Sequence, residues 1–95
     1  MNDAETETFA SVWDAIADTP QEAANLKARS ELMSQIAALV KARGWTQVEA
    51  ARRCSVTQPR LNDLLRGRLS RFSLDALVNI AAALGCRVHV GLDAA

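Results

Sequence analysis

The segment that reveals the architecture of this chain is Gly44-Trp45-Thr46-Gln47-Val48-Glu49-Ala50-Ala51-Arg52-Arg53-Cys54-Ser55-Val56-Thr57-Gln58-Pro59-Arg60-Leu61-Asn62-Asp63-Leu64-Leu65-Arg66-Gly67. Thr46, followed three residues later by Glu49, forms a capping box and predicts the start of a helix. Thr57 predicts a second start, and Pro59 falls in the first turn of that helix, where a missing N–H is tolerated. Gly67 suits the left-handed residue that ends a helix.

Two short helices, at about 47–54 and 58–65, need a close crossing point and a shared apolar seam. Ala51 is small enough for the crossing, and we expect the seam to consist of Val48, Val56, Leu61 and Leu64. Such a pair is a helix-turn-helix, whose second helix enters the major groove of DNA. The segment therefore predicts sequence-specific DNA binding.

The sequence before this motif predicts two more helices. Thr8 begins a short helix with Phe9, Val12, Trp13 and Ile16 on one face. Thr19 caps a long helix that has Pro20 in its first turn and runs to about Arg43. We therefore divide the chain into an acidic arm, residues 1–18, and a DNA-binding domain, residues 19–95.

The sequence after the motif predicts one helix and one strand. Ser73 caps the helix, and Gly85 ends it. Its expected core stripe is Leu74, Leu77, Val78, Ala81 and Leu84. Residues 86–92 then alternate in the manner of a short strand, with Val88, Val90 and Leu92 on one face. The predicted fold is all-α, a five-helix helix-turn-helix domain with a short C-terminal β-strand.

A single strand leaves backbone groups unpaired, so the predicted strand needs a partner. We expect it to pair with the same strand of a second copy, which would give a two-fold dimer. Pairing with a strand of another protein, and a dimer made by a helix face, are the alternatives.

The charge of the chain is divided unevenly. Its 95 residues suit one small domain with a formal net charge of zero, yet residues 1–25 carry −6 and residues 26–95 carry +6. Between Lys41 and Arg71 there are eight basic and two acidic residues. A basic patch on a helix-turn-helix is the electrostatic footprint of a DNA binder. No apolar run approaches a membrane span and the acidic start is unlike a signal peptide, so a cytoplasmic protein is expected.

Catalytic and metal chemistry find little support in the sequence. His89 is the only histidine, and Cys54 and Cys86 are too far apart for a metal-binding pattern. We expect both cysteines to be small buried thiols. The four glycines are isolated, so none forms a phosphate-cradling loop. We expect neither an enzyme nor a bound cofactor or metal.

The N-terminal half of the second helix supplies the candidates for reading bases. Arginine pairs with guanine, and glutamine and asparagine pair with adenine, which points to Arg60, Gln58 and Asn62. Thr57 offers a hydroxyl to a phosphate or its methyl group to thymine. The alternative for Asn62 and Asp63 is that they only solvate the helix.

A second group of residues is expected to contact the DNA backbone. Gln47 begins the first helix, where backbone N–H groups hold a phosphate. The other candidates are Arg52, Arg53, Arg66, Arg68 and Arg71. These contacts position a protein on DNA without specifying sequence. For Arg66, an ion pair with Asp63 is the alternative.

Nearly the whole chain resembles the small regulators of the Cro/C1 (XRE, lambda-repressor-like) class, and in particular HigA-like antitoxins of toxin–antitoxin modules. The residues that carry the resemblance are Phe9–Pro20, Arg43–Gln47, Ala50–Arg53, Val56–Gly67 and Ser70–Leu77. The resemblance implies a prokaryotic or phage-derived transcriptional regulator that binds its own operator as a dimer. It also implies a partner, a small basic toxin similar to RelE-type ribonucleases. Asn62 departs from the Ser or Thr frequent in the class, so base preference does not transfer, and Cys54 departs from the frequent Leu.

The acidic arm has two interpretations. Phe9, Trp13 and Ile16 could anchor a toxin, with carboxylates matching its basic surface. Alternatively, the short helix folds back on the domain. For the whole protein, the competing functions are a protein-interaction module on a helix-turn-helix scaffold without specific DNA binding, and a nonspecific nucleic-acid chaperone.

Overall fold

The computed structural model describes residues 17–94, which form four α-helices and one 3₁₀ turn. The elements are α1 (Pro20–Arg43), α2 (Gln47–Cys54), α3 (Gln58–Leu65), the 3₁₀ turn (Leu69–Arg71) and α4 (Leu74–Ala83). The all-helical prediction is confirmed for this part of the chain, but it holds four helices and not five. The predicted helix that starts at Thr8 lies outside the described residues, with its apolar residues Phe9, Val12, Trp13 and Ile16.

Each of the four helices begins at a hydroxyl side chain, as the sequence predicts. At α1 the Thr19 hydroxyl oxygen accepts a hydrogen bond from the Glu22 N–H over 3.0 Å. The same arrangement opens the other helices at Thr46, Thr57 and Ser73. Each cap satisfies one of the backbone N–H groups that a helix start leaves unpaired. The helix starts are therefore fixed by residues within one turn of sequence.

Helices α1 and α2 each end at a residue in the left-handed backbone conformation, a glycine for α1 and a serine for α2. Gly44 ends α1 with a φ of 67°, a conformation open to glycine at little cost. Ser55 ends α2 with a φ of 57°, and it is the one non-glycine residue of the described chain with a positive φ. Hydrogen bonds from the Ser55 N–H to Arg52 O (3.1 Å) and from the Val56 N–H to Ala51 O (3.0 Å) close this turn. The turn sets the direction in which α3 leaves α2.

One apolar core joins all four helices. Its fully buried side chains are Phe72, Leu61, Leu64, Leu77 and Cys54. Ala50 and Ala51 are buried between α2 and its neighbours, and Val56 is half-buried against the core. The predicted seam is wrong at Val48, which is 62 % exposed. The inward face of α2 consists of Ala50, Ala51 and Cys54, and Val48 lies about 200° around the helix from Ala50.

The predicted strand over 86–92 is not formed in this chain, where residues 86–94 have no regular secondary structure. A strand needs a neighbour for its backbone hydrogen bonds, and the described residues supply none. Val88 packs against the core, whereas Val90 and Leu92 are 92 % and 100 % exposed. The alternation of apolar residues at positions 88, 90 and 92 is therefore present, but the described residues of the single chain provide no second strand to pair with this segment.

Two further predictions about burial need correction at this end of the fold. Leu74 and Val78 were expected in the core of α4 but are each 37 % exposed, because they line a groove and not the core. Cys86 was expected to be buried and is exposed, while Cys54 is buried as predicted. None of the described helices combines the length and the apolar character needed to cross a membrane.

Candidate nucleic-acid interface

The outward face of α3 is defined by what the helix buries. Leu61 and Leu64 are 0 % and 1 % exposed, so the opposite side of the helix faces solvent. At 100° per residue, that side carries Pro59, Asp63 and Arg66, with Asn62 at its edge. Polar and charged side chains therefore occupy the face that a helix-turn-helix presents to DNA.

The four predicted base-reading residues differ in how they are held. Gln58 is exposed and Asn62 is half-buried. The Thr57 oxygen accepts the Arg60 N–H at 3.3 Å as the helix cap, which leaves its hydroxyl proton free to donate. Thr57 caps α3, Gln58 is its first residue and Asn62 its fifth, and their role in reading bases stays a prediction.

Arg60 is engaged within the protein. Its guanidinium carbon lies 4.3 Å from the centre of the Phe72 ring. Its Nη1 also donates a hydrogen bond to the carbonyl oxygen of Arg71 over 3.2 Å. These contacts tie α3 to the segment that follows it, Arg68–Phe72, which we call the arginine loop. A role in reading guanine stays a prediction, and it requires the guanidinium to leave the Phe72 ring.

Asp63 faces the same loop. Its two carboxylate oxygens lie 3.5 Å from Nη1 of Arg68 and 3.5 Å from Nη1 of Arg71. The Asp63 side chain is 18 % exposed, against 44 % and 58 % for the two arginines. The alternative ion pair between Asp63 and Arg66 is not formed, and Arg66 is exposed. Spacing within α3 suggested the wrong partner, because the true partners come from beyond the helix.

Arg29 of α1 supports the arginine loop from the other side. Its Nη1 donates to the carbonyl oxygens of Leu69 (3.3 Å) and Phe72 (3.2 Å). Its Nε donates to Oδ1 of Asn25 over 2.7 Å, which fixes the side chain on the helix surface. This contact could not be predicted from the sequence, since 40 residues separate Arg29 from Leu69 and no local pattern marks it.

Glu49 holds two of the predicted backbone-contacting arginines. Its Oε1 lies 2.7 Å from Nη2 of Arg52 and 2.7 Å from Nε of Arg53, and its Oε2 accepts from Nε of Arg52 at 3.0 Å. These hydrogen bonds lower the pKa of Glu49 to about 2. The same contact raises the pKa of Arg52. Glu49 therefore stays ionised and paired across the physiological range of pH.

Trp45 brings two arginines together beside the start of α2. The guanidinium carbons of Arg43 and Arg53 lie 5.9 Å and 5.3 Å from the centre of its ring. Both distances are within the range of cation–π attraction. The half-buried ring thus helps to concentrate positive charge near Gln47, the exposed first residue of α2. Trp45 was not among the predicted site residues, although its position between Arg43 and Arg53 in the sequence was an available signal.

The remaining reactive groups do not assemble into a second kind of site. In the part of the chain that the structure describes, no group of three His, Cys, Asp or Glu side chains could hold a metal ion. Burial raises the pKa of the Cys54 thiol, which disfavours the reactive thiolate. The chemistry of the described surface is therefore that of arginines and amides, the groups that bind phosphates and base edges.

Comparison with known protein families gives one match. The sequence model of a family described as "Helix-turn-helix domain" matches residues 15–92. The match includes all four described helices and the residues after α4 as far as Leu92. No curated protein matches the chain.

Proposed function

The chain belongs to the helix-turn-helix domain family, and on that premise we propose that it is a transcriptional regulator that binds its own operator as a homodimer and represses its own gene. The observation that carries the proposal is α3 itself. It buries Leu61 and Leu64 against the domain and presents polar side chains outward, next to an arginine-rich loop. A helix held in this way is suited to the major groove.

In this proposal the bases are read by side chains between Thr57, the cap of α3, and Asn62. Gln58 and Asn62 recognise adenine through paired hydrogen bonds, and Thr57 contacts a phosphate or a thymine methyl group. Arg60 recognises guanine once its guanidinium has left the Phe72 ring. The exposure of Gln58 and the position of Asn62 at the edge of the outward face support this assignment.

The DNA backbone is held on both sides of α3. Gln47 and the N-terminus of α2 receive one phosphate. Arg66, Arg68 and Arg71 receive others at the far end of α3, where all three are exposed. Arg52 and Arg53 contribute positive charge beside α2, although Glu49 offsets part of it. Such contacts provide most of the affinity, and they make binding sensitive to salt.

The C-terminal segment makes the dimer by pairing with its counterpart in a second copy. Val90 and Leu92 are almost fully exposed, so their apolar surface is available to a partner. Val90 lines a groove of about 670 Å³ between α1, α4 and the C-terminal segment. Apolar side chains of both helices line that groove, including Leu32, Leu39, Leu74 and Val78. A second copy would cover the groove and supply the missing strand.

The acidic arm is the proposed binding site for a basic, RelE-like toxin, which would make the protein an antitoxin. Phe9, Trp13 and Ile16 are the proposed anchors. The charge of −6 over residues 1–25 supports a basic partner, because complementary charge speeds association and selects partners.

Fluorescence-anisotropy titration tests the DNA-binding proposal. The protein is titrated, at two salt concentrations, against the DNA upstream of its own gene and against a shuffled duplex. We expect a preference of about a thousandfold or more for the upstream DNA, within the range of specific regulators. The Gln58→Ala, Asn62→Ala double variant should lose most of that preference and keep its binding to the shuffled duplex.

Either of two results would contradict the proposal. Equal and weak binding to both duplexes would favour a protein-interaction module, a function that the exposed Val90 and Leu92 also fit. Equal and tight binding would favour a nonspecific nucleic-acid chaperone.

A further inference from the structure

We propose that Asp63 is a specificity-determining residue, which acts by holding Arg68 and Arg71 away from DNA that is not the operator. On the operator, two phosphates take the place of the Asp63 carboxylate as partners of these arginines. The inference rests on the proposed DNA-binding function. It assigns specificity to a residue that contacts the arginines proposed to bind DNA phosphates and does not itself contact the bases.

The geometry places a carboxylate where DNA is expected. Asp63 lies on the outward side of α3, and it is the nearest acidic partner of both loop arginines at 3.5 Å. A phosphate that approaches the arginine loop therefore meets two cations that already share one anion. The approach is less favourable than the count of arginines suggests, because the carboxylate repels the phosphate as well.

The ion pairs are loose enough to be exchanged. Both distances exceed those of strong charge-assisted hydrogen bonds, and the arginine side chains are 44 % and 58 % exposed, so each pair contributes little net free energy. Glu49 provides the contrast, since it accepts a 2.7 Å hydrogen bond from each of Arg52 and Arg53 and a second one, of 3.0 Å, from Arg52. We expect Arg68 and Arg71 to transfer to phosphates, whereas Arg52 and Arg53 stay with Glu49.

The backbone of the loop is held in place while its side chains are free to turn. Arg29 binds the carbonyl oxygens of Leu69 and Phe72, so the loop stays anchored to α1 when Arg60 leaves the carbonyl oxygen of Arg71 to reach the bases. The positions that Arg68 and Arg71 reach are therefore set by the protein. Only DNA that α3 seats in the correct register places phosphates at those positions. DNA held loosely leaves the arginines with Asp63.

The test compares Asp63→Asn with the wild type and with Asp75→Asn. Asparagine keeps the shape of Asp63 and removes its charge. Asp75 is an exposed acidic residue in the first turn of α4 with no arginine partner in residues 17–94, so its variant makes the same change in net charge. Each protein is titrated against a random duplex over a series of salt concentrations, and thermal unfolding verifies that each is folded.

The wild type should bind the random duplex with a shallow dependence on salt. For Asp63→Asn we expect the slope of log K against log salt to steepen by about 0.9 for each arginine released. Its preference for the upstream DNA of the gene should shrink in proportion. Asp75→Asn should keep the wild-type slope. On the Asp63→Asn background, Arg68→Gln with Arg71→Gln should remove the increase, which assigns it to these two residues.

Equal slopes for Asp63→Asn and Asp75→Asn would overturn the inference, and so would an increase that survives removal of both arginines. Elution from a heparin column gives a reading that does not depend on the DNA-binding proposal. If no duplex binds but Asp63→Asn elutes at higher salt than Asp75→Asn, the proposed function fails and the masking of the arginines stands. If the two variants elute together, the masking fails.

Discussion

At the scale of single residues, the exposed arginines of this protein are mostly engaged by neighbours. Arg60 lies on Phe72, Arg52 and Arg53 bind Glu49, and the two loop arginines bind Asp63. Composition alone counts each of them as a free positive charge. The contribution of an arginine to DNA binding thus depends on the contact within the protein that it must break first.

Arg60 tests this point, because its substitution should have two separable effects. Arg60→Ala removes a cation–π contact and a hydrogen bond, so we expect the free energy of unfolding to fall by about 1–2 kcal/mol. If Arg60 reads a guanine, operator binding should also weaken by about 1–3 kcal/mol and one base position should become permissive. Urea unfolding measures the first effect, and titration of operators substituted at each base pair measures the second.

Arg66→Ala is the control for Arg60→Ala. Arg66 is exposed and makes no ion pair within residues 17–94, so its loss should leave stability unchanged and weaken binding to every sequence alike. An unchanged base profile in Arg60→Ala, beside the loss of stability, would show that Arg60 only anchors the loop.

The ion pairs of Glu49 predict a dependence of stability on pH. Hydrogen bonds from Arg52 and Arg53 lower the pKa of Glu49 from 4.5 to about 2 in the folded protein. A lowered folded-state pKa adds stability that is complete above the unfolded value, and this stability is lost as the pH falls through the folded value. The wild type should therefore lose more stability between about pH 5 and pH 2 than Glu49→Gln does.

Thermal unfolding midpoints at pH 6, 4 and 2.5 measure this difference. Glu31→Gln is the control, since Glu31 is an exposed carboxylate of α1 without an arginine partner in the described chain. Its midpoint should follow the wild type at all three values. Parallel curves for the wild type and Glu49→Gln would contradict the assignment.

At the scale of elements, Arg29 joins α1 to the arginine loop. Arg29→Met removes two hydrogen bonds from a cation to backbone carbonyl oxygens in a partly buried site, so we expect a loss of about 2 kcal/mol. For a domain of this size, that loss lowers the unfolding midpoint by roughly 8–16 °C. Lys27→Met, an exposed change on the same helix, should leave the midpoint within a few degrees of the wild type. Equal midpoints for the two variants would show that the loop does not depend on Arg29.

The same scale shows which parts of the fold the sequence could predict. The starts of the helices were predictable, because each depends on a Thr or Ser cap within one turn. The left-handed Ser55 was not, since no glycine marks it. The prediction of a strand over residues 86–92 was wrong for the single chain. Alternation of apolar and polar residues indicates a segment with two different faces, but it does not indicate whether a second strand is available to pair with it. In the candidate site, α3 and its polar residues were predictable, but the contacts of Arg29 and Asp63 with the loop depend on the tertiary fold.

At the scale of the whole molecule, the proposed dimer brings together two copies of the recognition helix α3. Dimeric helix-turn-helix proteins place their second helices about one turn of DNA apart, roughly 34–36 Å, so the dimer contact sets the spacing of the operator. A chain that ends after Gly85 should be monomeric at low micromolar concentration by sedimentation equilibrium, because it lacks the segment proposed to pair. That truncation also removes Val88, which packs against the core.

A full-length variant with Val90→Lys and Leu92→Lys separates the loss of the pairing segment from the loss of the Val88 contact with the core. It keeps Val88 in place and puts charge on the two most exposed large apolar side chains of residues 17–94, so it should keep the helical content of the wild type and still be monomeric. Its affinity for the operator should fall far more than its affinity for a single half-site, because only the dimer binds both halves at once. If both variants remain dimeric, a helix face must make the contact. The groove between α1 and α4 would then be the surface to substitute next.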